Sequence, residues 1–211
     1  MNRRDFLASI AGAALATTSV IAKSNSASVP LASSPDIKCG NDVYGRQLCT
    51  VGISTFEMQK AAQQQYMSQW CWAACISMIF DYHEHPVSQE RIVREAYGGI
   101  VNMPGSPQAI LRSLNRRWVD DNDEEFRVVA DPFTANYLTA IDDLKDDEPQ
   151  LIGALGHAVV LTAMTYYITP SGPYVVSAIV RDPWPARPSR REMTRDEWYN
   201  VQLAARIRVG D

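Results

Sequence analysis

A chain of 211 residues that is 46% hydrophobic and 21% charged can bury a core of its own, which excludes a disordered or fibrous protein. With 20 basic against 24 acidic residues, a formal net charge of −4 and no basic patch, nucleic acid is excluded as a partner.

The N-terminus reads as a secretory signal. Asn2-Arg3-Arg4-Asp5-Phe6-Leu7 is a charged start, Ala8 to Ala22 a small apolar run, and the paired arginines point to the twin-arginine route. The run is short of the roughly 20 residues of a membrane span and rich in Ala, Ser and Thr, so an anchor is not expected. Cleavage after Ala22 removes Arg3, Arg4 and Asp5, a net +1, and takes the charge from −4 to −5. Residues 1–22 are therefore expected to be the signal of an exported protein, periplasmic or secreted, with no membrane association once the signal is gone.

Residues 23–56 divide into two parts. Lys23 to Ser34 is rich in Ser, Ala and Pro and is expected to be a flexible leader. Asp36 to Phe56 forms an arm in which Cys39 and Cys49 bracket a glycine-containing loop. A disulfide there suits an oxidising compartment; two free thiols are the alternative. The arm either covers one edge of the domain or serves as a removable pro-segment, and the residues do not decide between these.

From residue 57 to 211 one domain is expected. Its first half is helical: about Gln69 to Tyr82, with Ala74 and Met78, and beside them Cys75 and Ile79, as the candidates facing the core; Gln89 to Ala96, capped by Ser88 and ended by Gly98-Gly99; and Gln108 to Arg116, entered through Ser106-Pro107. A short strand, Phe126 to Val129, and a helix, Thr134 to Lys145, follow. The second half carries strand-like runs at Gln150 to Ala154, His157 to Tyr167, Tyr174 to Arg181 and Ala204 to Val209, with a short helix at Met193 to Val201. Helices first and a mostly antiparallel sheet afterwards predict an α+β fold.

Four features carry chemistry. In Gln65-Tyr66-Met67-Ser68-Gln69-Trp70-Cys71-Trp72-Ala73-Ala74-Cys75, a glutamine stands six residues before a cysteine that opens an apolar helix. A thiolate is stabilised at a helix N-terminus, and an amide from the preceding loop can point its N–H at a developing oxyanion. Downstream, Gly156-His157-Ala158-Val159-Val160 and Val180-Arg181-Asp182-Pro183-Trp184 attach a histidine and an acid to strands. If Ile168 to Pro173 is a hairpin turn and Tyr167 faces Tyr174, Asp182 falls opposite Val159 and diagonal to His157 on one face. A slip of one residue destroys that pairing.

Cysteine, histidine, acid and glutamine in this arrangement resemble the papain-like cysteine peptidases. The Trp-Cys-Trp-Ala-Ala core is most similar to the branch with bacteriocin-leader-processing peptidases and a bacterial avirulence effector protease. The resemblance runs from about Gln65 to the C-terminus. It implies a papain-like fold with the nucleophile helix packed on the sheet, and the reaction of a cysteine endopeptidase acting through a thioester. Cys71 is then the nucleophile, His157 the general base and acid, Asp182 the group that orients the imidazole, and Gln65 the oxyanion donor. Gln63, Gln64 and Gln69 are live substitutes for Gln65. Cys75, a turn deeper, reads as a buried reduced thiol, Trp72 as core and Trp70 as cleft wall. The cleft is expected to draw on the loop Ile100 to Pro107 and on the surroundings of Trp184.

A protein or peptide substrate, a monomer and no cofactor are expected. Asp81-Tyr82-His83-Glu84-His85 pairs histidines with acids, but it runs off a helix end towards Pro86 and no metal is expected there. Two other outcomes stay open: a non-catalytic binding or inhibitory module with the same shell, and a thioester-based acyltransferase or transglutaminase-like enzyme.

Overall fold

The computed structural model describes residues 37–133 and 137–210. The expected signal and leader lie outside the described residues, as do the first residues of the helix expected from Thr134.

The architecture is α+β. Nine strands among the described residues form one antiparallel sheet: β1 (Lys38–Asn41), β2 (Gln47–Gly52), β3 (Arg117–Val119), β4 (Glu125–Phe133), β5 (Gln150–Ala154), β6 (His157–Thr169), β7 (Gly172–Arg181), β8 (Arg190–Glu192) and β9 (Val201–Gly210). The main path runs β1-β2-β6-β5-β9-β4-β3, and β7 pairs with β6 and β8 off that path. The helices are α1 (Thr55–Ala61), α2 (Cys71–Tyr82), α3 (Gln89–Tyr97), α4 (Pro107–Leu114), α5 (Tyr137–Lys145) and α6 (Arg195–Tyr199).

Helix α2 is the centre of the core. Every residue from Trp72 to Phe80 is buried, a wider set than the stripe expected from Ala74, Cys75, Met78 and Ile79. The reason is its surroundings: β5 and β6 pack on it, and so do α1 and α3. A helix covered on all sides must be apolar on all sides. Its far end is held by aromatic rings, with Phe80 edge-on to Trp118 at 5.4 Å and to Phe126 at 5.2 Å.

Local signals set several boundaries. Ser106 Oγ accepts the Ala109 N–H at 3.2 Å, and Pro107, which has no N–H to lose, opens α4. Gly98 closes α3 at φ 74°. The expected helix at Met193 to Val201 shortens to Arg195–Tyr199, because Arg190–Glu192 pairs with β7 and Val201 onwards pairs with β5.

The hairpin β6–β7 places the two remote site residues. Tyr167 pairs with Tyr174, as expected, but the register then shifts twice. It advances between Tyr166↔Val175 and Thr165↔Ser177, and returns between Ala163↔Ile179 and Leu161↔Val180. The two irregularities cancel, so Val160 faces Arg181 and the next residue, Asp182, arrives on the side of His157.

The described part of the arm, residues 37–56, covers an edge. Its strand β2 pairs with β6 from Leu48↔Tyr167 to Gly52↔Ala163, and Cys49, Val51 and Ile53 are buried in the core. Cys39 and Cys49 face each other across β1 and β2 and are joined in a disulfide. None of the described helices is long and apolar enough to cross a membrane.

The disulfide joins residues ten apart, and closing a loop of that size is worth roughly 2–3 kcal/mol in the unfolded chain. A Cys39→Ser, Cys49→Ala protein is expected to lose about that much in urea unfolding. Its rate of peptide cleavage should stay near that of the parent, because β1 lies on the outer side of β2.

Candidate active site

Cys71 is the first residue of α2, half-buried and free. The residue before it, Trp70, offers no side-chain cap, so the first turn is left open at the thiol. The other free cysteine, Cys75, is fully buried, and burial pushes its thiol well above the ordinary range.

His157 begins β6, one residue after a two-residue turn at Leu155-Gly156. Both turn residues have positive φ, 52° and 76°, which suits the twist of the strands they join but is costly for leucine. Ala154 pairs with His157 across the turn, so backbone pairing fixes the base of the imidazole.

Asp182 follows β7, and its side chain has 0% exposure. Its Oδ1 accepts from His157 Nε2 at 2.7 Å and from the Trp184 N–H at 2.9 Å. One oxygen thus both caps the turn after Asp182 and meets the histidine. Its Oδ2 accepts from Arg191 Nε at 2.7 Å and from Arg187 at 3.4 Å. Burial opposes the charge, but these donors hold the carboxyl well below the usual carboxylate range. An ionised carboxylate only accepts, so the imidazole proton sits on Nε2 and Nδ1 is the nitrogen left for sulfur. Cys71 and His157 line the same pocket, and the thiol acts on the ring to favour its charged form. Burial works against a charged imidazole, yet the bonds to Asp182 and Cys71 hold the His157 pKa up at about 9. The Trp184 ring stands edge-on to the imidazole at 6.1 Å.

Gln65 is buried, unlike Gln64 and Gln69. Its Nε2 donates to the Met67 carbonyl at 2.8 Å, at the turn that leads into α2, and its backbone N–H donates to the Pro183 carbonyl at 2.9 Å. That second bond ties the loop before Cys71 to the loop after Asp182. Gln63 is engaged elsewhere, with Ser77 and Gln89.

A pocket of about 140 Å³ opens beside Cys71 and His157. It is lined mainly by apolar groups, among them Trp72, Pro104, Ile110, Leu151 and Leu203. The loop expected to line the cleft does so through Pro104, Gly105 and Pro107. The tryptophan beside Cys71 that lines the pocket is Trp72. Trp70, read from the sequence as cleft wall, is 1% exposed, and its Nε1 donates to the Val101 carbonyl at 2.8 Å. Its indole thus finds its polar partner inside the fold.

Arg191 and Glu197, which back Asp182, are not marked as site residues by the sequence. Arg191 donates to both Glu197 oxygens, at 2.8 and 2.7 Å, and Glu197 closes a capping box with Thr194. The Thr-x-x-Glu spacing was the visible signal for the second of these.

Among the described residues His85, Asp120 and Glu124 offer ligand atoms within 4.8 Å of one another, a spacing that could hold a cation. They lie at the other end of α2 from Cys71. Asp120 is already engaged there by His85 at 3.1 Å and by the N–H groups of Asn122 and Glu124. His83 stands apart, 3.7 Å from Glu148.

Gly105 shapes the pocket by lacking a side chain. A Cβ there would come within 2.5 Å of the Trp72 ring and 2.9 Å of Ile110. Trp72 cannot yield freely, since its Nε1 holds the Met103 carbonyl at 3.2 Å and its ring packs edge-on against Tyr97. Gly105→Ala is expected to cost about 1–3 kcal/mol in urea unfolding, the usual range for overpacking. It should also lower kcat/KM on peptide substrates, read in the same preparation.

No curated protein matches the chain. A family model described as "Papain-like cysteine protease AvrRpt2" matches residues 53–203, well over half of the chain and the whole span from Gln65 through Cys71 and His157 to Asp182. The chain belongs to this family of papain-like, cysteine-type peptidases.

Proposed function

We propose that the protein is an exported cysteine endopeptidase in which Cys71, His157, Asp182 and Gln65 divide the work. The observation that carries this reading is the imidazole itself, bonded to a buried carboxylate on one nitrogen and lining one pocket with the Cys71 thiol.

The steps follow from the groups present. Cys71 attacks the scissile carbonyl as a thiolate, with the imidazolium of His157 as counter-charge. The carbonyl oxygen takes up the negative charge, and the Gln65 amide and the Cys71 backbone N–H donate to it. His157 gives its proton to the leaving amine as the C–N bond breaks, leaving a thioester on Cys71. Water, deprotonated by the now neutral imidazole, attacks the thioester; the carboxylic acid departs, and thiolate and imidazolium are restored. Asp182 keeps the ring in place and balances its charge throughout. The apolar pocket beside the thiol favours peptides with an apolar side chain near the cleaved bond.

Export rests on the charged and apolar pattern of residues 1–22 and agrees with the Cys39–Cys49 disulfide, a bond of oxidising compartments. The protein acts as a monomer and requires no cofactor.

Alkylation tests the nucleophile. Iodoacetamide at neutral pH is expected to label Cys71 rapidly and Cys75 hardly at all, and Cys71→Ala should lose both the label and casein cleavage. Equal, slow labelling of the two cysteines would refute the assignment.

The pH dependence tests the pair. The imidazolium is lost as pH rises through about 9, so cleavage should fall on the alkaline side with a midpoint near that value. The linked stability has the same sign. A raised His157 contributes fully below its ordinary 6.5 and loses the contribution as pH rises through about 9. A lowered Asp182 contributes above its ordinary 3.8 and loses it as pH falls. Urea midpoints compared between wild type and His157→Ala should differ most between those two ordinary values. An alkaline limb near 6.5 would mean that the ring is not engaged.

A further inference from the structure

We propose that Arg191, locked by Glu197, is a positioning residue that fixes the plane of the Asp182 carboxylate and through it the aim of the His157 ring. The inference rests on the roles proposed above for His157 and Asp182 and assigns a task to two residues outside that set.

A carboxylate held at one oxygen can turn about its last bond. Asp182 Oδ1 already serves two donors, His157 and the Trp184 N–H. The second oxygen decides whether the group is fixed, and it lies in a site with no solvent access. Two cations reach it. Arg187 is 3.4 Å away with a side chain 48% exposed, a loose and screened contact. Arg191 is 2.7 Å away and only 13% exposed, so it replaces the water that Oδ2 has lost.

Arg191 is itself immobilised. Its remaining nitrogens grip both oxygens of Glu197, a planar fork that lysine cannot reproduce. Glu197 also accepts the Thr194 N–H at 2.8 Å and so belongs to the start of α6. The fork holds Glu197 at a pKa of about 2, ionised at any working pH. The result is a line of alternating charge, imidazolium, carboxylate, guanidinium, carboxylate, in which each member sets the angle of the next. Glu197 also offsets the positive charge of Arg191, which alone would disfavour the proton on His157. The charged groups facing this line are Cys71 at one end and Arg187 beside Asp182 and Glu197.

The test reads the Cys71–His157 pair without needing the natural substrate. Iodoacetamide labelling of Cys71 is followed from pH 5 to 10, with cleavage of fluorescent casein and thermal melting on the same proteins. In wild type, labelling below neutral pH marks a thiolate held by the imidazolium. Arg191→Gln is expected to stay folded at the assay temperature and to lose about ten- to a hundredfold of that low-pH labelling and of casein cleavage, a cost set by analogy with metal-bound histidines that lose the group orienting them. Arg191→Lys restores the charge but not the fork and should recover only part. Glu197→Gln leaves Arg191 in place with a weaker grip, and should give a smaller loss with its alkaline limb moved to lower pH. Arg195→Gln, exposed on the same helix, should match wild type.

If Arg191→Gln melts below the assay temperature, Glu197→Gln decides. Wild-type labelling and cleavage in whichever of the two is folded overturns the proposal. Equal loss in Arg191→Gln and Arg195→Gln overturns it as well, since that marks general loosening of α6. Should wild type itself show no low-pH labelling of Cys71, the fault lies with the roles of Cys71 and His157 and not with Arg191.

Discussion

Asp182 sits where no water reaches it, and an ionised carboxylate in such a place costs several kcal/mol unless donors replace its hydration. Four donors do so: an imidazole, a main-chain N–H and two guanidinium groups. Because those donors come from β6, from the loop after β7, from that loop's return and from β8, the carboxylate is the knot that gathers these segments. The carboxylate orients the His157 ring and favours its charged form. The proposed pairing with the Cys71 thiol depends on that.

The opposite wall of the site is rigid for a different reason. Helix α2 is enclosed by sheet and helices, so its first residue cannot shift without disturbing the core. The loop from Val101 to Gly105 is bound to this helix through Trp70 and Trp72, whose indole N–H groups hold the Val101 and Met103 carbonyls. The Gln65–Pro183 bond joins the two walls. Cys71, Gln65 and Asp182 are therefore held in one frame, the condition the proposed attack at a fixed distance requires.

Much of this was legible in the residues. The apolar run after Cys71, the cap at Ser106-Pro107 and the strand at Gln150 to Ala154 each announced an element through local chemistry. The turn between Tyr167 and Tyr174 was legible too, and the meeting of His157 with Asp182 came out of it even though neither register shift was foreseen. What stayed hidden depended on distant partners. Lys38–Asn41 and Arg190–Glu192 lack the apolar alternation of a strand and become strands only because β2 and β7 offer them backbone groups. Arg191 stands in Pro188-Ser189-Arg190-Arg191-Glu192, which reads as a solvated charged stretch. Nothing local tells which of two adjacent arginines turns inward, since strand alternation sends them to opposite faces and the register is set elsewhere. Trp72 is core as expected, but the burial of Trp70 was hidden for the same reason, because the carbonyl its indole holds belongs to a loop 31 residues on.

The paired irregularities of the β6–β7 hairpin carry a consequence for how such a chain can vary. Each alone would exchange inner for outer positions in everything beyond it, and only their coexistence leaves the imidazole and the carboxylate on one side. Natural length change here is thus restricted to balanced events: an insertion in one strand matched by its counterpart in the other, or none. Sister sequences should keep both offsets or lack both, and a chain with an odd count between turn and acid would carry a complete set of reactive residues that never assemble.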